Sequence, residues 1–142
     1  MKPQGYSQFE HTGDIGLTFW ADDMAELFRQ SAMGMFHLMV ATPANLVEQR
    51  SRIIHSAGEN PEELLVNWLS ELNFNFSHFH EIYSRIEIIE LDDKHLVAEL
   101  FGEKLNTQLH RIKLEIKAVT FHQLSVEKLD DNTWRGQVIF DI

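Results

Sequence analysis

The tetrad Asn60-Pro61-Glu62-Glu63 constrains this chain more than any other feature, because it sets an N-cap, a first-turn proline and a capping-box glutamate in immediate succession. A helix must begin there. The residues that follow decide what the helix packs against: Leu65, Trp68, Leu69, Leu72, Phe76 and Phe79, with Leu64 alongside, recur at helical spacing and form a wide aromatic stripe. A face that broad needs a large flat partner, and a β-sheet supplies one. An earlier helix is predicted from Met24, where Leu27, Phe28, Ala32, Met35, Phe36 and Met39 form a second stripe. Asp23 and Glu26 have the spacing of a reciprocal capping box, and Pro43 is placed to close the helix. Met24, Met33, Met35 and Met39 read as core filler, since Met fills irregular gaps.

Around these helices the hydrophobic period changes to two. Tyr6 to Glu10 and Gly16 to Trp20 read as strands, with the turn-rich His11-Thr12-Gly13-Asp14 between them, so Asp14 is expected in a tight loop. Val47 to Ser56 reads as a strand. Arg85 to Ile89 and Leu96 to Phe101 form a hairpin about Asp92-Asp93-Lys94. Lys113 to Val119 alternates strictly, as do Leu124 to Leu129 and Gln137 to Asp141, the last two joined by Asp130-Asp131-Asn132. The expectation is one α+β domain over residues 1–142, with two main helices packed on a largely antiparallel β-sheet.

Composition narrows the chemistry. The 142 residues carry 22 acidic and 12 basic side chains, a formal charge of -10, and no cysteine. Thiol nucleophiles, disulfides, iron–sulfur clusters and Cys-based zinc sites are excluded. The charge opposes autonomous nucleic-acid binding, because phosphate contacts demand Lys and Arg, whereas it suits a basic partner, a divalent cation or plain solubility. No apolar run reaches the roughly 20 residues of a membrane span, and a soluble cytoplasmic protein is expected. Gly-rich phosphate loops, nucleophile elbows and paired-histidine zinc helices are absent from the sequence. His78 and His80 lie two apart, which points them to different helix faces and opposes a shared ion.

Two carboxylates stand in unusual places. Asp14 falls between strands, and Asp141 directly follows the apolar Val138-Ile139-Phe140, with Ile142 and its backbone carboxylate beside it. Brought together, these oxygens suit a hard cation; taken separately, a turn Asp forms an Asx-turn and a terminal Asp is simply solvated. Both readings stay open on the residues alone.

Five segments in order carry a resemblance: Glu10-His11-Thr12-Gly13-Asp14-Ile15-Gly16, Ala32-Met33-Gly34-Met35-Phe36, Leu64-Leu65-Val66-Asn67-Trp68-Leu69, Glu115-Ile116-Lys117-Ala118-Val119-Thr120-Phe121-His122 and Val138-Ile139-Phe140-Asp141-Ile142. Together they resemble the archease family from end to end, with Gly13 where Ala is usual and Phe121 where Tyr is usual. The resemblance implies a non-enzymatic activator of the RtcB-type RNA ligase, promoting its guanylylation and repeated turnover in tRNA splicing or RNA repair. It also implies a divalent cation, calcium in the family and with magnesium or manganese as alternatives, held by Asp14, Asp141 and a backbone oxygen of Ile142. Lys117 falls on the family's functionally important lysine, against the plain reading of an outward strand charge. Glu26 coincides with an acidic family position, although the capping box accounts for it. His11, Thr12, Thr120 and His122 belong to the motif as supports of the Asp14 loop. Two other classes remain: a metal-dependent hydrolase or phosphotransferase using Asp14 and Asp141, and a chaperone-like modulator of RNA-processing proteins.

Overall fold

The computed structural model describes residues 3–41 and 47–142. In chain order its elements are β1 (Gly5–His11), β2 (Asp14–Ala21), α1 (Met24–Met39), β3 (Val40–Ala41), β4 (Arg50–Ala57), α2 (Pro61–Phe79), β5 (Glu81–Leu91), β6 (His95–Lys104), β7 (Arg111–Ile112), β8 (Ala118–Val119), β9 (Ser125–Lys128) and β10 (Trp134–Asp141). Every pairing is antiparallel. The strands form three sheets rather than the single one expected. In the largest, β10 is flanked by β2 on one side and by β8 and β9 on the other, with β1 outside β2. β6 lies between β4 and β5 in the second, and β3 pairs with β7 in the third.

The helices join these sheets. α1 packs on β1, β2 and β10 and also on β5, while α2 packs on β4, β5 and β6 and reaches β8 and β9. This two-sided packing explains why α1 buries Gln30, Ser31 and Gly34 in addition to its apolar stripe. Trp68 of α2 is fully buried and donates its indole N–H to the Phe28 carbonyl of α1 at 3.0 Å, which satisfies the one polar group that burial would otherwise orphan. The far end of the α2 stripe departs from expectation, because Phe79 is 37% exposed and lies beneath the Arg52 guanidinium instead of in the core.

Helix ends follow the sequence with two differences. Asn60 accepts from the Glu63 N–H at 2.9 Å and Asp23 from the Glu26 N–H at 2.7 Å, so both N-caps form. The reciprocal half of the Asp23 box does not. Glu26 turns along α1 to Arg29 and Gln30, and the Arg29 hydrogen bonds hold its carboxyl below the usual range. A fork-to-carboxylate pair is stronger than a second bond to an exposed backbone N–H, which accounts for the choice. Pro43, expected to close α1, lies outside the described residues; the helix ends at Met39, where Val40 becomes extended and enters β3. His80 caps α2 in the left-handed conformation and His78 stacks on Phe74, so each histidine has a helix-end role.

Lys113 to Val119 is the clearest correction. Only Ala118–Val119 pairs as a strand, and residues 113–117 belong to no ladder. The alternation still registers half-burial, since Leu114 and Ile116 face inward and Lys113, Glu115 and Lys117 outward. The backbone partners are scattered: Lys113 N–H goes to Met39 O, and Ile116 O to the side chain of Asn73.

The junction of α2 and β5 holds a buried carboxylate that alternation did not reveal. Glu81, 3% exposed, accepts two bonds from Arg52 at 2.9 and 3.1 Å, one from Tyr83 at 2.9 Å and a longer one from Arg50. The Arg52 bonds above all hold Glu81 below the ordinary carboxylate range, and burial together with Glu81 pushes the Tyr83 phenol upward. A carboxylate with a depressed folded pKa stabilises above its unfolded pKa and loses that contribution as pH falls through the folded value. Stability measured by urea unfolding is therefore expected to decline below about pH 4.3, and less steeply in Glu81→Gln. Arg52→Ala is expected to cost about 3 kcal/mol at pH 7 by leaving the charge buried and underpaired. Identical acid slopes for wild type and Glu81→Gln would assign the decline elsewhere.

Candidate functional site

The β1–β2 hairpin turns on two residues, Thr12 and Gly13, and its register continues through the closing pair His11 and Asp14. Asp14 is thus the first residue of β2 rather than part of a loop. Gly13 has φ +81° while Thr12 before it does not have a positive φ, the pattern of a type II turn, whose second central position L side chains adopt at a cost and Gly does not. The Gly at this position matches the turn it must make.

β10 runs antiparallel to β2 with Phe140 opposite Ile15 and Ile139 opposite Gly16. The ladder ends at the Phe140–Ile15 pair, so Asp14 and Asp141 are the next residue of each strand just beyond it. Strand alternation assigns them to one face: Leu17, Phe19, Val138 and Phe140 point to the core, and Asp14, Gly16, Ile139 and Asp141 point the other way. Behind the acids that face is dry. The Phe9 ring lies over Gly16, where an added Cβ would come within 2.0 Å of it, and Ile139 in the same row is completely buried.

Thr120 and Lys117 bring the other edge to the same place. Thr120 donates both its N–H, at 3.1 Å, and its hydroxyl, at 2.8 Å, to the Ile139 carbonyl, and its oxygen accepts the His122 N–H at 3.2 Å. Ala118 is the register partner of Asp141, and the Lys117 N–H donates to the Asp141 carbonyl at 2.8 Å. Lys117 is among the residues that border a groove of about 540 Å³ between residues 115–119 and α2, together with Ser70, Asn73 and Ser77. Asp14, Asp141, Ile142, Lys117, Thr120 and the hairpin residues His11 and Thr12 therefore gather at one end of the largest sheet. Glu26 does not. It follows the opposite end of β2, about 23 Å along an eight-residue strand from Asp14.

Among the described residues, no three His, Asp or Glu side chains form a group that could hold a metal ion. A cation at this end would rest on the Asp14 and Asp141 carboxylates with main-chain oxygen, a hard-donor set. The feature that sequence reading missed is Asn73, whose amide reaches the Ile116 carbonyl at 2.9 Å. Its only trace in the sequence is the polar row Ser70, Asn73, Ser77 beside the apolar stripe of α2. No described helix is long and apolar enough to cross a membrane.

Comparison with known proteins places the chain in a family. The model of the Archease protein family (MTH1598/TM1083) matches residues 6–142. Protein archease of Pyrococcus abyssi is 36% identical, over 96% of this chain and 98% of its own, and that of Methanosarcina acetivorans is 32% identical over the full length of both. The solution structure of Methanobacterium thermoautotrophicum protein 1598 superposes with a TM-score of 0.74 at 31% identity, covering 97% of this chain and 99% of that one. The crystal structure of a Thermotoga maritima archease, called a possible chaperone, gives a TM-score of 0.66 at 18% identity, with 96% of each chain covered. Matched along almost its whole length by the family model and by relatives above 30% identity, this chain belongs to the archease family.

Proposed function

We propose that this protein is a non-enzymatic accessory factor that activates an RtcB-type RNA ligase, promoting its guanylylation and repeated turnover in tRNA splicing or RNA repair. The observation that best supports the reading is the β2–β10–β8 register, which gathers Asp14, Asp141 and the Lys117 backbone at one sheet end with a dry face behind them. Such an end presents carboxylates at the surface to a partner protein. The name possible chaperone carried by the Thermotoga maritima structure is compatible with the same act, since both readings have this fold bind another protein and change its state.

The residues fit the divalent cation that the family implies. Asp14 and Asp141 are aligned on one face of adjacent strands and supply hard oxygens, and the backbone of Ile142 follows directly. When bound, Ca²⁺, Mg²⁺ or Mn²⁺ would neutralise the paired acids and offer positive charge to oxygens of a partner. The chain's own contribution is alignment: the β2–β10 ladder brings the two strand ends that carry Asp14 and Asp141 side by side, and Thr120 pins the neighbouring edge. An activator shifts its target only by binding the active state more tightly than the inactive one. The acidic end and Lys117 are the groups assigned that differential contact.

Single-turnover guanylylation of a cognate ligase, with GTP and Mn²⁺ supplied, tests the reading. Wild-type protein is expected to raise the rate about tenfold or more, within the usual range of coupling between sites. Asp14→Ala and Asp141→Ala should return it to the unstimulated value, and Lys117→Ala should do so with unchanged melting temperature. Equal ligase rates with and without saturating wild-type protein would remove the proposal.

Thermal melts with added calcium address the cation separately. At a free ion concentration about a hundredfold above Kd, the wild type should gain about 2.7 kcal/mol, and Asp141→Asn should gain nothing. A wild type indifferent to calcium, magnesium and manganese alike would remove the cation while leaving activation to be judged by the ligase assay.

A further inference from the structure

Lys117 stands in a stretch with no ladder to hold it, yet its backbone is fixed by one peptide group. The N–H of the Ile116–Lys117 peptide donates to the Asp141 carbonyl at 2.8 Å, and the C=O of the same peptide accepts from the Asn73 side chain at 2.9 Å. The two bonds pull in opposite directions, one toward β10 and one toward α2. Ile116, 3% exposed, anchors the unit to the core. Asn is a poor helix former in an interior turn, because its side chain competes for local backbone groups. At position 73, well inside α2, that disadvantage is offset by a carbonyl that no strand satisfies. Ser70 and Ser77 flank it on the same helix face, and neither they nor Phe74 makes a hydrogen bond to residues 115–119 among those described.

We propose that Asn73 is a positioning residue for Lys117: its amide fixes the Ile116–Lys117 peptide, and with it the backbone from which the exposed Lys117 side chain departs next to Asp141. The proposal rests on the activator reading for its functional half and on geometry alone for its structural half. It makes α2 part of the activating surface, although none of its side chains belongs to the sequence motif around Lys117. Losing the amide donor frees the carbonyl to seek water, and the peptide then turns with the Asp141 bond as its one remaining tether.

Amide hydrogen exchange followed by NMR, together with the guanylylation assay, tests both halves. Asn73→Asp keeps the shape and removes the donor, and it should speed exchange of the Lys117 amide about fivefold or more, the factor that one hydrogen bond sets in an equilibrium. Stimulation of the ligase should fall by a comparable factor, and Asn73→Gln, which retains an amide donor, should recover most of both. A merely structural role would instead loosen α2 as a whole and leave no special effect at residues 116–118. If Asn73→Asp does not fold, Asn73→Ser, too short to reach the carbonyl, carries the same measurements. Unchanged Lys117 exchange in these variants, or full stimulation by them where Lys117→Ala has lost it, would overturn the proposal. A wild type that fails to stimulate a competent ligase would remove the activator reading instead, and the exchange data would still decide whether Asn73 holds Lys117.

Discussion

The pairing of β2 with β10 is the constraint on which the rest of the molecule depends. Leu17, Phe19, Val138 and Phe140 are all buried from its inner side against α1, and Ile139 is equally buried from the outer side beneath the Phe9 row. The pair cannot slip by one residue without moving its inner apolar set to the partly exposed face of Thr18 and Gln137 and its acids toward the core. The same ladder that stabilises the sheet therefore brings the strand ends carrying Asp14 and Asp141 side by side. Site and core share one register.

The helical layer extends that order to the second sheet. α1 touches strands of both sheets, α2 carries Trp68 into α1, and the Glu81 network locks the exit of α2 to β4 through Arg52. The polar bonds here are few and deep. Each satisfies a group that close packing would otherwise strand, which is the condition for burying it at all.

Legibility in the sequence followed the range of the interaction concerned. The two helices, their N-caps, the β5–β6 and β9–β10 hairpins and the burial of Met35 and Met39, with Met24 and Met33 packed half-buried beside them, rest on neighbours a few residues away, and the residue pattern states them directly. The separation into sheets did not, because alternation reports that a strand has one buried face without naming what buries it. Lys113 to Val119 shows the same gap from the other side: its alternation is real, but its hydrogen bonds go to Met39, Asn73 and Asp141, distant in the chain. Glu26 failed differently, since Arg29 and Gln30 offered better partners than the cap. At the candidate site, Asp14 and Asp141 were legible from their places beside a turn and after an apolar strand, Lys117 only from the family motif, and setting them at one sheet end needed the β2–β10–β8 register. Asn73 belonged to no motif and stayed invisible.

The order of the strands also bears on how the molecule assembles. β10, central to the largest sheet, is synthesised after every other described element, so β1 and β2 must wait as a two-stranded hairpin with one edge of β2 unpaired and only α1 over Leu17 and Phe19. Closing the sheet means joining the two ends of the chain across almost its whole length, a pairing whose loop entropy is met only at the last step. Until then the acidic end does not exist as a unit. The protein assembles its candidate site and completes its core in one event, and a partially folded chain would display neither.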